Sequence, residues 1–549
     1  MSAAPSYAQG QTDTPLLEET IGANLERTVS KFGEHDALVD VPSGRRWTYA
    51  EFDADVNRLA KGLLGIGLEV GDRVGIWSPN CPEWTLLQYA TAKVGVVLVN
   101  VNPAYRTHEL DYVVEQSGMR MIFSAVEYKN STYKQMVEQT LPKRDTLERA
   151  FYIGDTSWDE LYAAGESVED ERVAQVRASL TPDQPINIQY TSGTTGFPKG
   201  ATLSHRNILN NGFFVGEMIH LTENDRLCIP VPFYHCFGMV MGNLASTTHG
   251  SCMVIPAPTF TPQSALEAVS KEHCTVLHGV PTMFIAELDL IDDGDYDLST
   301  LRSGIMAGSP CPVEVMKKVI DRMNMAEVAI NYGMTETSPV STSTRSDDDL
   351  RRRTETVGRV MPHLEIKVVD PGTGEAVPRG MPGEFCTRGY SVMLGYWGQP
   401  DKTAEAIDAA RWMHTGDLAT MDEDGYCAIV GRIKDMVIRG GENVYPREIE
   451  EFLYTHPDIA DVQVIGVPDK KFGEELMAWI ITKPGQEPLT VEDVKEFSAG
   501  KLAHYKVPRY VHCVDAFPMT VTGKIRKVEM RQVSVEELGL QSAAEVRNA

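Results

Sequence analysis

The sequence has too few basic residues to balance its acidic ones. Its 549 residues include 51 Lys and Arg against 77 Asp and Glu, so the formal net charge is −26. Proteins that bind nucleic acid or anionic membranes carry a basic face, and this charge therefore argues against either as the main partner. The alternative is that the acidity only keeps the chain soluble. If the substrates are anions, a few local cations must attract them.

Paired cysteines are also lacking. The nine cysteines are scattered singly and no C-x-x-C occurs. An odd count without paired spacing is typical of a reducing compartment and argues against a structural zinc site. We therefore expect a cytoplasmic protein without disulfides.

No hydrophobic run is long enough to cross a membrane. The longest, Val94–Val101, includes Gly95 and Asn100 and reads as a buried strand. The first residues lack the basic and apolar regions of a secretory signal. We expect no integral membrane segment, and we interpret residues 1–20 as a mobile tail.

What the chain does contain is alternation between strand-like and helix-like segments. Such alternation predicts an α/β fold of helix-covered parallel sheets. The predicted strands are 74–79, 96–101 and 121–126, and the predicted helices are 82–95 and 108–118.

Two later regions depart from this alternation of strand-like and helix-like segments. Short Gly- and Pro-punctuated strands predict a small β-rich subdomain at about 350–433. Residues 434–549 predict a small, mobile α+β C-terminal domain, in which Pro446 begins one helix and Thr490 caps another over 491–504. The expected domains are therefore 1–433, with the β-rich part at its end, and 434–549.

The strongest local signal is TSGTTGFPKG at 191–200, which follows the strand-like INIQY. Its three glycines allow the backbone to approach a polyanion closely, and its hydroxyls and backbone N–H groups can donate to phosphate oxygens. Lys199 adds a positive charge. The spacing differs from a Walker A loop, and a flexible surface turn is the alternative.

At this loop the sequence resembles the adenylate-forming (AMP-binding) superfamily, which includes acyl-CoA and aryl-CoA synthetases, firefly luciferase and nonribosomal-peptide adenylation domains. Further motifs similar to that family's follow in order, between about residues 45 and 530. They are GSP (308–310), NYGMTE (331–336), HTGD (414–417), GRIKD (431–435) and TVTGKIRK (520–527).

The resemblance implies a nucleotide site. Tyr332 would lie against adenine, and Asp417 and Arg432 would contact ribose. Thr335 would donate to the α-phosphate, and Glu336 would ligate Mg²⁺, which prefers hard oxygen ligands. The residues expected to contact ATP are Thr191, Ser192, Gly193, Thr194, Thr195, Gly196, Lys199, Gly308, Ser309, Pro310, Asn331, Tyr332, Gly333, Met334, Asp417 and Arg432. Taken alone, Asp417 and Arg432 could be solvated turn charges.

The resemblance also implies how catalysis proceeds. Lys524 would bridge the substrate carboxylate and the α-phosphate, together with the catalytic residues Thr335, Glu336 and His235. Lys434 would be the hinge about which the C-terminal domain rotates between two half-reactions. Gly440 and Gly441 would leave room for the pantetheine arm of coenzyme A.

The acyl pocket is predicted in PFYHCFGMVMG (232–242), with His235 near the carboxylate. Its candidate lining is Phe237, Met241, Ile305 and Gly308, although ordinary core packing is the alternative for Phe237 and Met241.

The expected function is an ATP-dependent acid–thiol ligase that uses ATP, Mg²⁺ and coenzyme A. The amino-acid sequences of the motifs are most similar to those of bacterial medium- and long-chain fatty acyl-CoA synthetases. An aryl-CoA ligase, an acyl-AMP ligase loading a carrier protein and a nucleotide-binding pseudoenzyme are the alternatives. A homodimer stays one option for the assembly.

Overall fold

The structure, a computed structural model, describes residues 4–191, 198–292, 294–309, 311–439, 442–499, 501–519 and 525–541. The chain divides into two compact units. The small unit comprises Met1–Tyr7, Lys367–Phe385 and Thr415–Ala549, and the large unit comprises Ala8–Ile366 and Cys386–His414. The mixed α/β class predicted from the sequence is confirmed.

The strands are numbered in chain order. They are β1 Tyr7–Gln9, β2 Asp36–Asp40, β3 Arg46–Thr48, β4 Arg73–Trp77, β5 Val97–Asn100, β6 Met121–Ser124, β7 Arg149–Tyr152, β8 Pro185–Thr191, β9 Lys199–Ser204, β10 Arg226–Cys228, β11 Cys252–Ile255, β12 Val276–Gly279, β13 Ser303–Ala307, β14 Glu327–Gly333, β15 Val340–Ser343, β16 Arg359–Val360, β17 Leu364–Val369, β18 Gly383–Gly389, β19 Gly395–Tyr396, β20 Met413–Met421, β21 Cys427–Arg432, β22 Val437–Arg439, β23 Glu442–Val444, β24 Ile459–Asp469, β25 Gly473–Thr482 and β26 Tyr510–Cys513.

The helices are numbered in the same way. They are α1 Ile21–Phe32, α2 Tyr49–Gly65, α3 Pro82–Val94, α4 Thr107–Ser117, α5 Tyr133–Thr140, α6 Thr156–Gly165, α7 Asp170–Ala178, α8 His205–Met218, α9 Ala245–His249, α10 Pro262–Glu272, α11 Pro281–Ile291, α12 Val313–Arg322, α13 Leu350–Glu355, α14 Pro400–Ala406, α15 Pro446–Leu453, α16 Val491–Ser498 and α17 Lys527–Glu537. A π-helix, Phe237–Leu244, leads into α9.

Two largely parallel sheets form the large unit. One has the order β16–β15–β14–β13–β12–β10–β11–β2–β3, and the other has the order β19–β9–β8–β5–β4–β6–β7. The inner strands of both sheets run parallel, whereas β9 and β15 turn back antiparallel. Parallel strands have both faces covered by helices, which explains why β5 and β6 are buried along their whole length.

The helix α3 shows how the local sequence sets these elements. Pro82 is at its first turn, where the missing N–H costs nothing, and Gly95 ends it in the left-handed conformation at φ 70°. Trp84 and Tyr89 on this helix are fully buried. Residues of the predicted helix 82–95 therefore form a helix that is covered on every face.

The small unit has its own sheet, β23–β22–β25–β24, with β26 added beside β25. Helix α15 begins at Pro446 as predicted, and it buries Ile449 and Leu453 in that unit's core. Thr490 caps α16 as predicted, through a reciprocal capping box with Asp493. The small unit also contributes residues to a five-stranded sheet, β1–β17–β18–β20–β21.

Two predictions about the ends of elements are wrong. The first twenty residues do not form a mobile tail in their described part, because β1 lies in a sheet and Ser6 exchanges backbone bonds with Val377 and Val368. Helix α16 ends at Ser498 instead of extending to residue 504, and its C-cap Ala499 is extended. Gly500 follows at once, and glycine is a poor helix former.

The division into two units groups the strands after Thr415 with the C-terminal residues. The boundary predicted between residues 433 and 434 stays a prediction. Among the described residues, no helix combines the length and apolar character needed to cross a bilayer.

One buried acid yields a prediction about stability. Glu287 on α11 is fully buried, and neither carboxyl oxygen has a hydrogen-bond partner in the described part of the chain. Burial raises the pKa of Glu287 well above its ordinary value of 4.5. The folded chain therefore holds a proton that the unfolded chain releases above about pH 4.5, so this group makes folding less favourable as pH rises.

We expect Glu287→Met to raise the unfolding free energy by about 2 kcal/mol at pH 8, with a smaller gain at pH 4.5. Thermal melts at the two pH values measure this. Glu272→Met is the matched control, because Glu272 is also buried but pairs with Arg46 and Arg226. It should lose stability at pH 8. A Glu287→Met variant that melts lower than the wild type at pH 8 would contradict the prediction.

Candidate active site

The glycine-rich loop joins two antiparallel strands of the large unit. Thr191 at the end of β8 pairs with Lys199 at the start of β9, and Tyr190 pairs with Gly200. The loop is therefore the connection of a β-hairpin whose stems lie in a sheet. Five predicted phosphate contacts fall outside the described residues: Ser192, Gly193, Thr194, Thr195 and Gly196.

Helix α4 holds both stems of this hairpin. The hydroxyl of Tyr112 donates to the carbonyl of Pro198 at 2.9 Å. One turn further along, the side-chain oxygen of Gln116 accepts from the hydroxyl of Tyr190. Burial raises the pKa of Tyr190, which keeps that hydroxyl a donor. The two ends of the loop are thus fixed to one rigid element, about 80 residues away in sequence.

NYGMTE forms the end of β14 and the short 3₁₀ turn Thr335–Thr337. A side chain at Gly333 would collide with the carbonyl oxygen of Pro339, 1.7 Å from an added Cβ. Only glycine fits this close approach. The backbone of Glu336 follows in the turn, and Thr335 and Glu336 are both buried.

GSP follows β13, which is the neighbour of β14. Ala307 on β13 pairs with Asn331 on β14 in parallel register. The next residues, Gly308 and Tyr332, therefore lie side by side at the carboxyl-terminal ends of the paired segments. This is where α/β sheets present residues to ligands. The side-chain amide of Asn331 is buried and has no hydrogen-bond partner in the described residues. It is therefore available to form hydrogen bonds with polar atoms of a ligand. Ser309 is described, and Pro310 lies outside the described residues.

The carboxylate of Glu336 is the centre of the site in the large unit. The hydroxyl of Thr191 donates to its Oε1 at 3.1 Å, and the hydroxyl of Tyr396 donates to the same oxygen at 2.8 Å. The ammonium of Lys199 lies 4.3 Å from the centre of the Tyr396 ring. The structure thus joins the loop stem and the NYGMTE turn through the carboxylate of Glu336.

Tyr396 did not emerge from the sequence. It lies in GYSVMLGYW, whose glycines indicated only short strands. The pairing of β19 with β9 brings it to the site, because Tyr396 stands opposite Ala201. Burial and the neighbouring Glu336 raise the pKa of Tyr396 well above its usual value, so the phenol remains a donor at all physiological pH values.

Three of the predicted acyl-pocket residues lie around a buried imidazole. The ring of Phe237 lies 5.6 Å from that of His278, and His278 Nε2 lies 3.0 Å from the carbonyl oxygen of Met241. Ile305 stands opposite His278 in the β12–β13 pairing. Burial lowers the pKa of His278 to about 4, so the ring is neutral near pH 7. His278 was not among the predicted site residues, although its position inside the apolar run TVLHGV was a sequence signal that could have indicated it.

His235 lies just before the π-helix that carries Phe237 and Met241. Its Nδ1 accepts the backbone N–H of Phe237 at 3.1 Å. The next residue, Cys236, donates its buried thiol to Gln189 Oε1 at 3.1 Å. Gln189 is on β8, which leads into the phosphate loop. The wide turns of π-helices are frequent at functional sites.

A second cluster lies in the small unit. Asp417 on β20 stands opposite Arg432 on β21, and Arg432 Nε lies 2.9 Å from Asp417 Oδ1. Asp417 is buried while Arg432 is half-exposed. Lys434, the predicted hinge, is exposed in the turn that follows. The predicted residues Gly440, Gly441 and Lys524 lie outside the described residues.

Two family profiles match this chain. The family profile described as "AMP-binding enzyme" matches residues 25–397, and the profile "AMP-binding enzyme C-terminal domain" matches residues 448–524.

The chain is 50% identical to a putative acyl-CoA synthetase, YngI, of Bacillus subtilis, over 96% of this chain and 99% of that protein. It is 45% identical to the mitochondrial medium-chain acyl-CoA ligase ACSF2 of Danio rerio, over 97% and 91%. The crystal structure of ATP-bound MatB from Rhodopseudomonas palustris has a TM-score of 0.84 at 30% identity, over 93% and 98%.

Proposed function

Because this chain belongs to the AMP-binding enzyme family as an ATP-dependent acyl-CoA synthetase, we propose that its acid substrate is a medium- or long-chain fatty acid. Enzymes of this class use ATP to convert a carboxylate to an acyl-adenylate, with release of pyrophosphate. The thiol of coenzyme A then takes the acyl group, and AMP leaves.

The observation that carries the site assignment is the buried Glu336. Its charge forms no ion pair with any described Lys, Arg or His, and both bonds to Oε1 come from neutral hydroxyls. A buried carboxylate without an ion-pair partner is suited to a divalent cation. Glu336 would therefore hold Mg²⁺, which supplies positive charge that neutralises the phosphates of ATP.

The remaining roles follow the resemblance of the motifs. The loop from Thr191 to Lys199 would bind the β- and γ-phosphates, and Thr335 would donate to the α-phosphate. Tyr332 would lie against adenine. Lys524 would hold the attacking carboxylate in line with the α-phosphorus, which is a contribution of position and charge.

Two further parts complete this proposal in the small unit. Asp417 and Arg432 would contact the ribose hydroxyls, since a carboxylate accepts and a guanidinium donates. Lys434 would be the pivot for the coenzyme A step, with Gly440 and Gly441 beside the pantetheine arm and residues 434–549 moving as a domain.

The acid class is supported by the residues around His278. Phe237, Met241 and Ile305 are buried and apolar, and the imidazole is neutral, so these four described side chains offer no charge to a second carboxylate or to an amino group. The relatives named medium-chain acyl-CoA ligase support an aliphatic acid of intermediate length. His235 would lie near the carboxylate of this acid.

The nine cysteines are unpaired, and they support the proposal that the enzyme works in the reducing cytoplasm.

The test is pyrophosphate release with Mg·ATP across acetate, octanoate, decanoate, palmitate, benzoate and coumarate, each with and without coenzyme A. We expect turnover that needs coenzyme A and that peaks at octanoate to palmitate. A peak at benzoate or coumarate would identify an aryl-CoA ligase. A single release of pyrophosphate without a coenzyme A effect would identify an acyl-AMP ligase, and no release with any acid would indicate a nucleotide-binding pseudoenzyme.

A further inference from the structure

A short segment of the large unit, residues 393–397, joins the two motifs of the candidate site. The N–H of Met393 donates to the carbonyl of Glu336 at 2.9 Å, and the N–H of Trp397 donates to the carbonyl of Gly200 at 2.8 Å. The first bond reaches the NYGMTE turn, and the second reaches the strand after the phosphate loop. We call residues 393–397 the bridging segment.

The bridging segment places one side chain, Tyr396, against both motifs. Its hydroxyl donates to Glu336 Oε1, the oxygen that also accepts from Thr191. Its ring face lies under the Lys199 ammonium, 4.3 Å from the ring centre. Tyr396 is only 6% exposed. One rigid aromatic side chain therefore contacts an anion with its edge oxygen and a cation with its face.

We propose that Tyr396 is a positioning residue for adenylate formation, which holds the Glu336 carboxylate in the orientation that ligates Mg²⁺ and holds Lys199 at the phosphate loop. This inference rests on the proposed function. It goes beyond it by assigning a role to a residue outside the loop and turn motifs.

The physical reason lies in the two donors to one carboxylate oxygen. With Oε1 fixed by two hydroxyls, the carboxylate has a defined rotation, and its other oxygen has no donor among the described residues. Residues that orient a metal ligand change metal affinity by about 10- to 100-fold when they are removed. Loss of the Tyr396 hydroxyl leaves Thr191 as the single donor, so the carboxylate regains rotational freedom.

The test is Tyr396→Phe, which removes the hydroxyl and keeps the ring under Lys199. We expect the Mg²⁺ concentration for half-maximal pyrophosphate release to rise about tenfold. The KM for the acid should change less than twofold, because the proposed function places the acid near His235 and not at this oxygen. Thioester formation from synthetic acyl-AMP and coenzyme A should be unchanged, which a general structural defect would not allow.

A second readout does not need turnover. Titration of the full-length enzyme with Mn²⁺ in the presence of ATP, without acid, measures the metal affinity by calorimetry. The Tyr396→Phe variant should bind Mn²⁺ about tenfold more weakly. If the wild type binds Mn²⁺ and ATP but activates no acid, the proposed function fails while this comparison still tests Tyr396.

Tyr152→Phe is the matched control. Tyr152 is 6% exposed, and a lysine, Lys134, lies 5.0 Å from its ring centre. Its hydroxyl has no partner among the described residues. Tyr152 therefore has a buried ring next to a lysine, as Tyr396 does, but its hydroxyl does not donate to a carboxylate. Its substitution should change neither the Mg²⁺ dependence nor the Mn²⁺ affinity.

Thr191→Val removes the other donor to Oε1 and tests the same mechanism if Tyr396→Phe folds poorly. It should raise the Mg²⁺ requirement in the same direction. An unchanged Mg²⁺ requirement and Mn²⁺ affinity in a folded Tyr396→Phe variant, within twofold of the wild type, would overturn the proposal. Equal losses in adenylation and thioester formation would also overturn it, since they indicate a structural role.

Discussion

Replacing Lys524 with alanine is expected to lower acyl-adenylate formation by about a thousandfold. The ammonium at this position would hold the acid carboxylate against the α-phosphate and balance the charge that develops there. The described residues on either side of it pair, since Met519 bridges Ile525 and the N–H of Arg526 donates to the carbonyl of Pro518 at 2.8 Å.

The measurement is acyl-adenylate formation in a single turnover, followed as pyrophosphate. The same variant should still form thioester from synthetic acyl-AMP and coenzyme A, because the proposed mechanism uses the lysine only in the adenylation step. Lys501→Ala, which removes an exposed lysine of the same unit, is the control and should leave both steps intact. If Lys524→Ala forms the adenylate at the wild-type rate, the assignment of the catalytic lysine is wrong.

Glu336→Gln should lower adenylate formation by about a hundredfold or more. The amide oxygen of glutamine can still accept from Thr191 and Tyr396, so the packing of the turn is retained. What is lost is the negative charge, and with it the attraction for a divalent cation. The substitution therefore separates the charge of this residue from its hydrogen bonds.

The loss should be measured as pyrophosphate release over a range of Mg²⁺ concentrations, and high Mg²⁺ should restore part of the rate. Glu287→Gln is the control for the exchange of a buried acid for its amide, since Glu287 is also buried but forms no hydrogen bond with Thr191 or Tyr396. A Glu336→Gln variant with an unchanged Mg²⁺ dependence would contradict the proposed metal ligand.

The sequence was most informative where one short segment carries a complete physical reason. The strand 74–79 and the helix 82–95 could be predicted because apolar residues, Pro82 and Gly95 mark their character and their ends. Glu336 and Thr191 lie within contiguous motifs, and their assignment to one nucleotide site came from the resemblance of those motifs to a family. The structure then adds that they are joined by a hydrogen bond across 145 residues of sequence.

Tyr396 could not be found in this way, because its place at the site depends on strand pairing, whereas His278 had a local signal in the apolar run TVLHGV and was overlooked. Tyr396 reaches Glu336 only because β19 pairs with β9. The tripeptide GYW does not indicate which strand β19 will pair with. The segment that forms β1 was interpreted as part of a mobile tail for the same reason, because the strand with which it pairs is more than 300 residues away in sequence. Pairing between distant segments is a property of the whole chain, and local periodicity does not contain it.

The attachment of both hairpin stems to α4 has a consequence for engineering by recombination. A phosphate loop moved from this protein into a relative would arrive without the tyrosine and glutamine that hold its two ends, Tyr112 and Gln116. The natural unit of exchange is therefore not the ten-residue loop but the loop together with α4. Chimeras whose crossover falls between residues 117 and 190 separate the two, and only those that inherit a compatible pair should keep the loop in its working shape.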